Sequence, residues 1–259
     1  MTQTPPPATP PEAWLTAWRE VVATARRSVA DGLVVGTSGN VSARVGDVVL
    51  VTPSGVPYER LTDADLCAVH LDGSRATGHL IPTSELPLHL AAYRATDASA
   101  VVHTHAVHAT AVSTLVDELP AVHYMAAALG GPVRVAPYAT YGSPELAAHA
   151  VAALAGRSGC LLRNHGTVVH GRDLAQAYAN TAQLEWMCRV WLAAASVPGR
   201  TPALLPPQEL EVVAERLRGY GQSDPPPPSP AGADGGAASS TGADPAPPSP
   251  LSGPADAAS

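Results

Sequence analysis

The stretch Val101-Val102-His103-Thr104-His105 is the point from which this 259-residue chain is best interpreted. Two β-branched residues lead into His-x-His, and residues i and i+2 of an extended strand point to the same face of a sheet. The imidazoles of His103 and His105 are therefore expected to lie side by side, which suits one metal ion bound through neutral ring nitrogens. Two half-buried histidines on a strand would show the same pattern. Alone, the motif predicts a strand and leaves the metal open.

Strand and helix patterns alternate on both sides of this stretch. Residues 41–45 and 48–52 flank a Gly-Asp turn and predict a β-hairpin. Ser143-Pro144 places an N-cap and a first-turn proline at a helix start, and a long helix is expected from about residue 173 to 195. The chain thus predicts a single α/β domain over residues 12–221.

Both ends of the chain differ in composition from this domain. Residues 1–11 are rich in proline and predict a disordered leader. Residues 222–259 contain ten prolines and a single large apolar side chain, Leu251. Such a segment cannot bury enough apolar surface to offset the entropy lost on ordering. We therefore expect a disordered tail outside the fold.

Composition also excludes several classes of function. No apolar run approaches the length of about 18 residues that a membrane span needs, and no Lys/Arg cluster indicates a nucleic-acid or anionic-membrane surface. The three cysteines are far apart and form no paired motif, which is typical of reduced thiols. The N-terminus has no basic segment leading into an apolar one. A cytoplasmic location is expected.

Three loops rich in small residues precede the His-x-His stretch. They are Gly36-Thr37-Ser38-Gly39-Asn40, Ser54-Gly55 and Thr83-Ser84. Backbone amides beside glycine, together with hydroxyl and amide side chains, can hold a phosphate, and Thr83 or Ser84 is predicted to cap a helix whose N-terminus favours an anion. Each loop taken alone equally fits an ordinary turn or cap. Together they indicate a phosphorylated substrate.

Two further residues complete a candidate site. Glu85 follows the third loop and is either a general base close to a metal or an acid that stabilises the first turn of a helix. His165, in Asn164-His165-Gly166 between two apolar strands, is either a turn histidine or a third ligand. Catalytic zinc usually takes three protein ligands and keeps one position open, so a third histidine is what His103 and His105 require.

In this order, the motifs resemble those of the class II aldolase/adducin family. The resemblance covers nearly all of residues 15–221, and the motifs that carry it are residues 36–42, 52–55, 83–85, 102–108 and 164–166. It implies a central, mainly antiparallel sheet between helical layers. It also implies a C4 homotetramer with sites at the subunit interfaces.

The resemblance assigns roles to individual positions. It implies Zn²⁺ bound by three histidines, Glu85 as the residue that transfers protons, and two tyrosines at the aldehyde end of the substrate. The histidines are His103, His105 and His165, and the tyrosines are Tyr124 and Tyr220. The implied phosphate contacts are Thr37, Gly39, Asn40, Ser54, Gly55, Thr83 and Ser84.

The implied reaction is reversible cleavage of a ketose 1-phosphate, such as L-fuculose 1-phosphate, to dihydroxyacetone phosphate and a short aldehyde such as lactaldehyde. Family 4-epimerases typically carry Asp where Glu85 stands, which favours an aldolase, whereas a sugar-phosphate dehydratase keeps the Glu and stays an alternative. A non-catalytic, adducin-like scaffold is the alternative of another class, although such a scaffold is expected to lose metal ligands that this chain retains.

Overall fold

A nine-stranded sheet forms the centre of the molecule in the computed structural model, which describes residues 9–219. The strands are β1 (Asn40–Val45), β2 (Val48–Val51), β3 (Ala68–His70), β4 (Arg75–Thr77), β5 (Ala100–Thr104), β6 (Glu118–Leu119), β7 (Val133–Ala136), β8 (Gly159–Leu162) and β9 (Gly166–Gly171). Their order is β4-β3-β2-β1-β5-β9-β8-β7-β6, and β7 and β8 are the one parallel pair among these described strands. The mainly antiparallel sheet agrees with the expectation.

Helices cover both faces of this sheet. They are α1 (Glu12–Ala30), α2 (Leu86–Ala95), α3 (Val107–Leu115), α4 (Pro144–Leu154), α5 (Leu174–Ala195) and α6 (Pro207–Arg218). Helices α2 and α4 pack on one face with Val101, whereas α1 packs on the other face with Val102. Because neighbouring residues of a strand point to opposite faces, β5 is buried on both sides. The single α/β domain with helical layers is confirmed.

The predicted elements are present, with shifts at their ends. The hairpin pairs Val45 with Val48 around Gly46, whose φ of 65° suits glycine. The Ser143 hydroxyl accepts a hydrogen bond from the Leu146 amide, as a helix cap should. Among the described residues, no helix is both long and apolar enough to cross a membrane.

Candidate active site

His103 lies near the end of β5 and His105 directly after it, and β5 pairs with β1 and β9 near the middle of the sheet. The His103 ring is fully buried, and its Nδ1 lies 2.7 Å from the Thr167 carbonyl oxygen. A carbonyl oxygen can only accept, so Nδ1 of a neutral ring carries the hydrogen. The Nε2 lone pair of His103 therefore points into the site, which is the tautomer that a metal ligand needs.

His165 reaches the same place because Gly166 allows a very close backbone approach. A Cβ atom at position 166 would lie 2.1 Å from the Thr104 carbonyl oxygen, so no other residue fits there. Asn164 takes a φ of 55°, a left-handed conformation that asparagine tolerates better than most residues. The sequence Asn164-His165-Gly166 is thus the turn that brings β9 against β5 and places His165 beside His103 and His105.

The three imidazoles form a nearly equilateral cluster. Their ring centroids are 4.9, 4.9 and 4.8 Å apart, and each pair of rings is close to perpendicular. The Nε2 atoms of His103 and His105 are 2.9 Å apart. Burial lowers the pKa values of His105 and His165 to about 4, so these rings are neutral at pH 7. Neutral nitrogens whose lone pairs converge at this distance repel each other unless a cation or proton lies between them.

Glu85 completes this cluster. Its Oε2 lies 2.9 Å from His103 Nε2 and 3.0 Å from the side-chain nitrogen Nδ2 of Asn40. Its Oε1 lies 3.3 Å from His165 Nε2. Ligand atoms of Glu85 and the three histidines all lie within 4.8 Å of one another, and Oε1 is buried without a hydrogen-bond partner. A buried carboxylate oxygen left unpaired beside converging imidazoles fits a divalent cation.

The carboxyl group of Glu85 stays ionised despite its burial. Burial by itself raises the pKa of Glu85, but the interaction with the His103 ring, 2.9 Å away, and the hydrogen bond from the Asn40 side chain lower it further than burial raises it. The net pKa of Glu85 is well below the usual value for a glutamic acid. The group is therefore a carboxylate at neutral pH, as a proton acceptor must be.

The start of α2 differs from the prediction. Neither Thr83 nor Ser84 is the N-cap, because the helix begins at Leu86 and Glu85 itself takes the cap position. The Thr83 hydroxyl instead accepts a hydrogen bond from the Glu85 amide at 3.2 Å. This short turn places the Glu85 carboxylate toward the histidines rather than over the helix amides.

A cavity of about 370 Å³ opens above the cluster. All the predicted phosphate contacts line it, together with three residues of the cluster and two exposed tyrosines. The phosphate candidates are Thr37, Gly39, Asn40, Ser54, Gly55, Thr83 and Ser84; the others are Glu85, His105, His165, Tyr138 and Tyr141. None of these lining residues is Lys or Arg, so an anion here would meet neutral amide and hydroxyl donors.

The last two residues of the first loop, Gly39 and Asn40, connect this loop to the histidine cluster. A Cβ atom at Gly39 would lie 2.8 Å from the His103 carbonyl oxygen, so glycine lets this loop lie against β5. The Asn40 side chain uses both its ends, with Nδ2 on Glu85 and Oδ1 on His89 Nε2. No partner pattern in the sequence singles out His89, which lies four residues after Glu85 on the same face of α2.

Of the two predicted tyrosines, Tyr124 does not line this cavity. Tyr124 is 49% exposed and lines a separate cavity of about 760 Å³ beside His123 and Trp186. Tyr220 lies outside the described residues. The roles predicted for both therefore stay predictions.

Known proteins with this pattern establish the family. The sequence model of the class II aldolase and adducin N-terminal domain matches residues 19–192. The chain belongs to the class II aldolase and adducin family. The L-fuculose phosphate aldolase of Escherichia coli strain K12 is 40% identical over 205 residues, covering 78% of this chain and 94% of that protein.

Other relatives of this class II aldolase point to the same reaction type. A 5-methylthioribulose-1-phosphate/5-deoxyribulose-1-phosphate aldolase of Rhodospirillum rubrum is 38% identical over 210 residues, covering 80% of this chain and 93% of that protein. The solved structure of an L-fuculose 1-phosphate aldolase matches with a TM-score of 0.76 and 33% identity, over 78% of this chain and 96% of that one. The family resemblance is confirmed, and the chain is an enzyme of the lyase class.

Proposed function

We propose that this class II aldolase uses Zn²⁺ to cleave a ketose 1-phosphate reversibly to dihydroxyacetone phosphate and a short aldehyde. The observation that carries the proposal is the position of Glu85. Its carboxylate lies between the histidine cluster and a cavity lined by three loops of small polar residues. One end of this cavity suits a phosphate and the other suits proton transfer beside a metal.

His103, His105 and His165 are the residues that would hold the metal. Three neutral nitrogen donors with an open fourth position are typical of catalytic zinc. When bound, the ion would supply Lewis-acid stabilisation of negative charge that develops on substrate oxygens as the carbon–carbon bond breaks. The chain contributes the rigid placement of its ligands, because β5 is buried on both faces and Thr167 fixes the His103 tautomer.

Glu85 is proposed to move the proton on and off carbon. Its Oε1 has no hydrogen-bond donor among the described residues, whereas Oε2 accepts one from Asn40. An ionised carboxylate with one unpaired oxygen is suited to act as a general base. The three loops would hold the phosphate away from the reacting bond and so fix its orientation.

The tyrosines and the assembly belong to the same proposal. Tyr124 lies outside the cavity of its own chain, so a role at the aldehyde end requires it to come from a neighbouring subunit. We therefore propose a homotetramer with sites at its interfaces, and Tyr220 as a second tyrosine at the aldehyde end. The domain boundary at residue 221 and the cytoplasmic location stay predictions.

L-Fuculose 1-phosphate is the first substrate we expect, and a second candidate comes from the Rhodospirillum rubrum relative. A panel of L-fuculose 1-phosphate, 5-deoxyribulose 1-phosphate and 5-methylthioribulose 1-phosphate separates them. We expect one molecule of dihydroxyacetone phosphate for each molecule of aldehyde, with the highest kcat/KM on L-fuculose 1-phosphate. The measurement is a coupled assay of both products.

The same panel tests the alternative functions. A dehydratase would consume the sugar phosphate without releasing dihydroxyacetone phosphate, and an epimerase would return an isomer of unchanged mass. A non-catalytic scaffold would leave every substrate intact. Any of these three results would contradict the proposal.

A further inference from the structure

A line of buried hydrogen bonds leads from the core to Glu85. The Tyr93 hydroxyl lies 2.8 Å from Ser42 Oγ, which lies 2.6 Å from His89 Nδ1. His89 Nε2 lies 2.5 Å from Asn40 Oδ1, and Asn40 Nδ2 lies 3.0 Å from Glu85 Oε2. All five side chains are buried, and His89 is completely so. We call these five residues the relay.

Two regular patterns build the relay. One face of α2 carries three of the five residues at intervals of four. Glu85 lies at the start of the helix, and His89 and Tyr93 lie within it. Asn40 and Ser42 are two residues apart and point to the same face of β1. The relay therefore alternates between a helix and a strand of the sheet, and it is held in place by both.

The placement of the Asn40 amide sets the direction of every hydrogen bond in the relay. Its Nδ2 donates to Glu85 Oε2, and its carbonyl oxygen Oδ1 faces His89 Nε2 and can only accept. His89 must then carry its hydrogen on Nε2. Burial lowers the pKa of His89 to about 3, so the ring is neutral and Nδ1 has only a lone pair. Ser42 consequently donates to Nδ1, and Tyr93 donates to Ser42.

We propose that His89 is a positioning residue that holds Glu85 through Asn40. Without the Nε2 hydrogen of His89, the buried Asn40 Oδ1 loses its donor, and the amide is no longer held from both ends against the carboxylate. With it, Asn40 occupies Oε2 of Glu85, and Oε1 is left as the oxygen that exchanges protons. This inference rests on the proposed role of Glu85 as the base.

A matched pair of substitutions tests the proposal. Gln and Met have similar length and volume, but only Gln offers an N–H to Asn40. We expect H89M to lower kcat by about 10- to 100-fold, since small misplacements of a reacting group cost rates of this order. KM and the bound metal should change little, and H89Q should recover most of kcat. H170M is the control, since His170 is a partly buried histidine whose Nε2 also faces a carbonyl, that of Arg157.

A double-mutant cycle separates positioning from general loss of packing. If His89 acts through Asn40, H89M should lower kcat no further in the N40A background. Equal losses in both backgrounds would overturn the proposal, as would a rise in KM at unchanged kcat. Where H89M does not fold, S42A takes its place: it removes the donor to Nδ1, which weakens the hold on the His89 ring, and should lower kcat in the wild-type background but not in the N40A background.

Nitrogen-15 NMR of the histidine-labelled, metal-loaded enzyme gives a test that does not need activity. The His89 signal, assigned by its absence from H89Q, should show a neutral ring protonated at Nε2. Protonation at Nδ1 would overturn the relay even in an active enzyme. A wild-type protein that cleaves no ketose 1-phosphate, with His89 protonated at Nε2, would instead contradict the proposed function and leave the relay supported.

Discussion

Replacing Glu85 by Gln is expected to lower kcat by about 10²- to 10⁴-fold, the usual cost of removing a general acid or base. Gln has the same shape and can still accept the hydrogen bond from Asn40, so its position should be kept. It cannot take up a proton at neutral pH. Steady-state kinetics on the best substrate of the panel measure the loss.

The bound metal distinguishes a lost base from a damaged site. Since His103, His105 and His165 are retained, E85Q should bind as much metal as the wild type, and its melting temperature should be similar. E145Q is the control, because Glu145 is an exposed carboxylate in the first turn of α4. Unchanged turnover in E85Q would remove Glu85 from the role of base.

Replacing His165 by Ala is expected to abolish both metal binding and cleavage. Loss of an outer partner of a metal ligand already weakens binding by about 10- to 100-fold, and losing a ligand itself should cost more. The turn should keep its shape without the imidazole, because Asn164 and Gly166 provide its backbone conformation. H165A should therefore fold normally, which circular dichroism can check.

Metal content measured by mass spectrometry, beside kcat, tests this expectation. His79→Ala is the matched control, since that side chain is exposed and lies outside the cluster. It should keep both metal and activity. An H165A protein with a full complement of metal and wild-type kcat would show that the three-histidine site is wrong.

Much of this site could be predicted from short patterns. The period of two predicted that His103 and His105 lie side by side, as they do at the end of β5 and just after it, and Ser143-Pro144 marked a helix start. Both signals depend on neighbouring residues alone. The ordered set of motifs selected His165 and Glu85, which the structure brings together with His103 and His105. Each of these inferences needed no knowledge of which strands pair.

Other features depend on contacts between distant segments. The need for glycine at 166 follows from the Thr104 carbonyl, 62 positions earlier in the chain, and the partner of His89 lies 49 positions away on β1. The cap of α2 was mistaken because the Glu85 carboxylate faces the histidines, a tertiary contact that overrides the local preference for Thr or Ser.

Metal-dependent cleavage is tested most directly by one assay on a single preparation at three stages of metal content. Release of dihydroxyacetone phosphate from the preferred ketose 1-phosphate is measured as purified, after removal of metal by a chelator, and after return of Zn²⁺. We predict about one bound ion per chain in the purified protein, since the cluster offers a single set of three histidines. Cleavage should be lost when the metal is removed and should recover when Zn²⁺ is returned. Undiminished cleavage by protein shown to contain no metal would contradict the account.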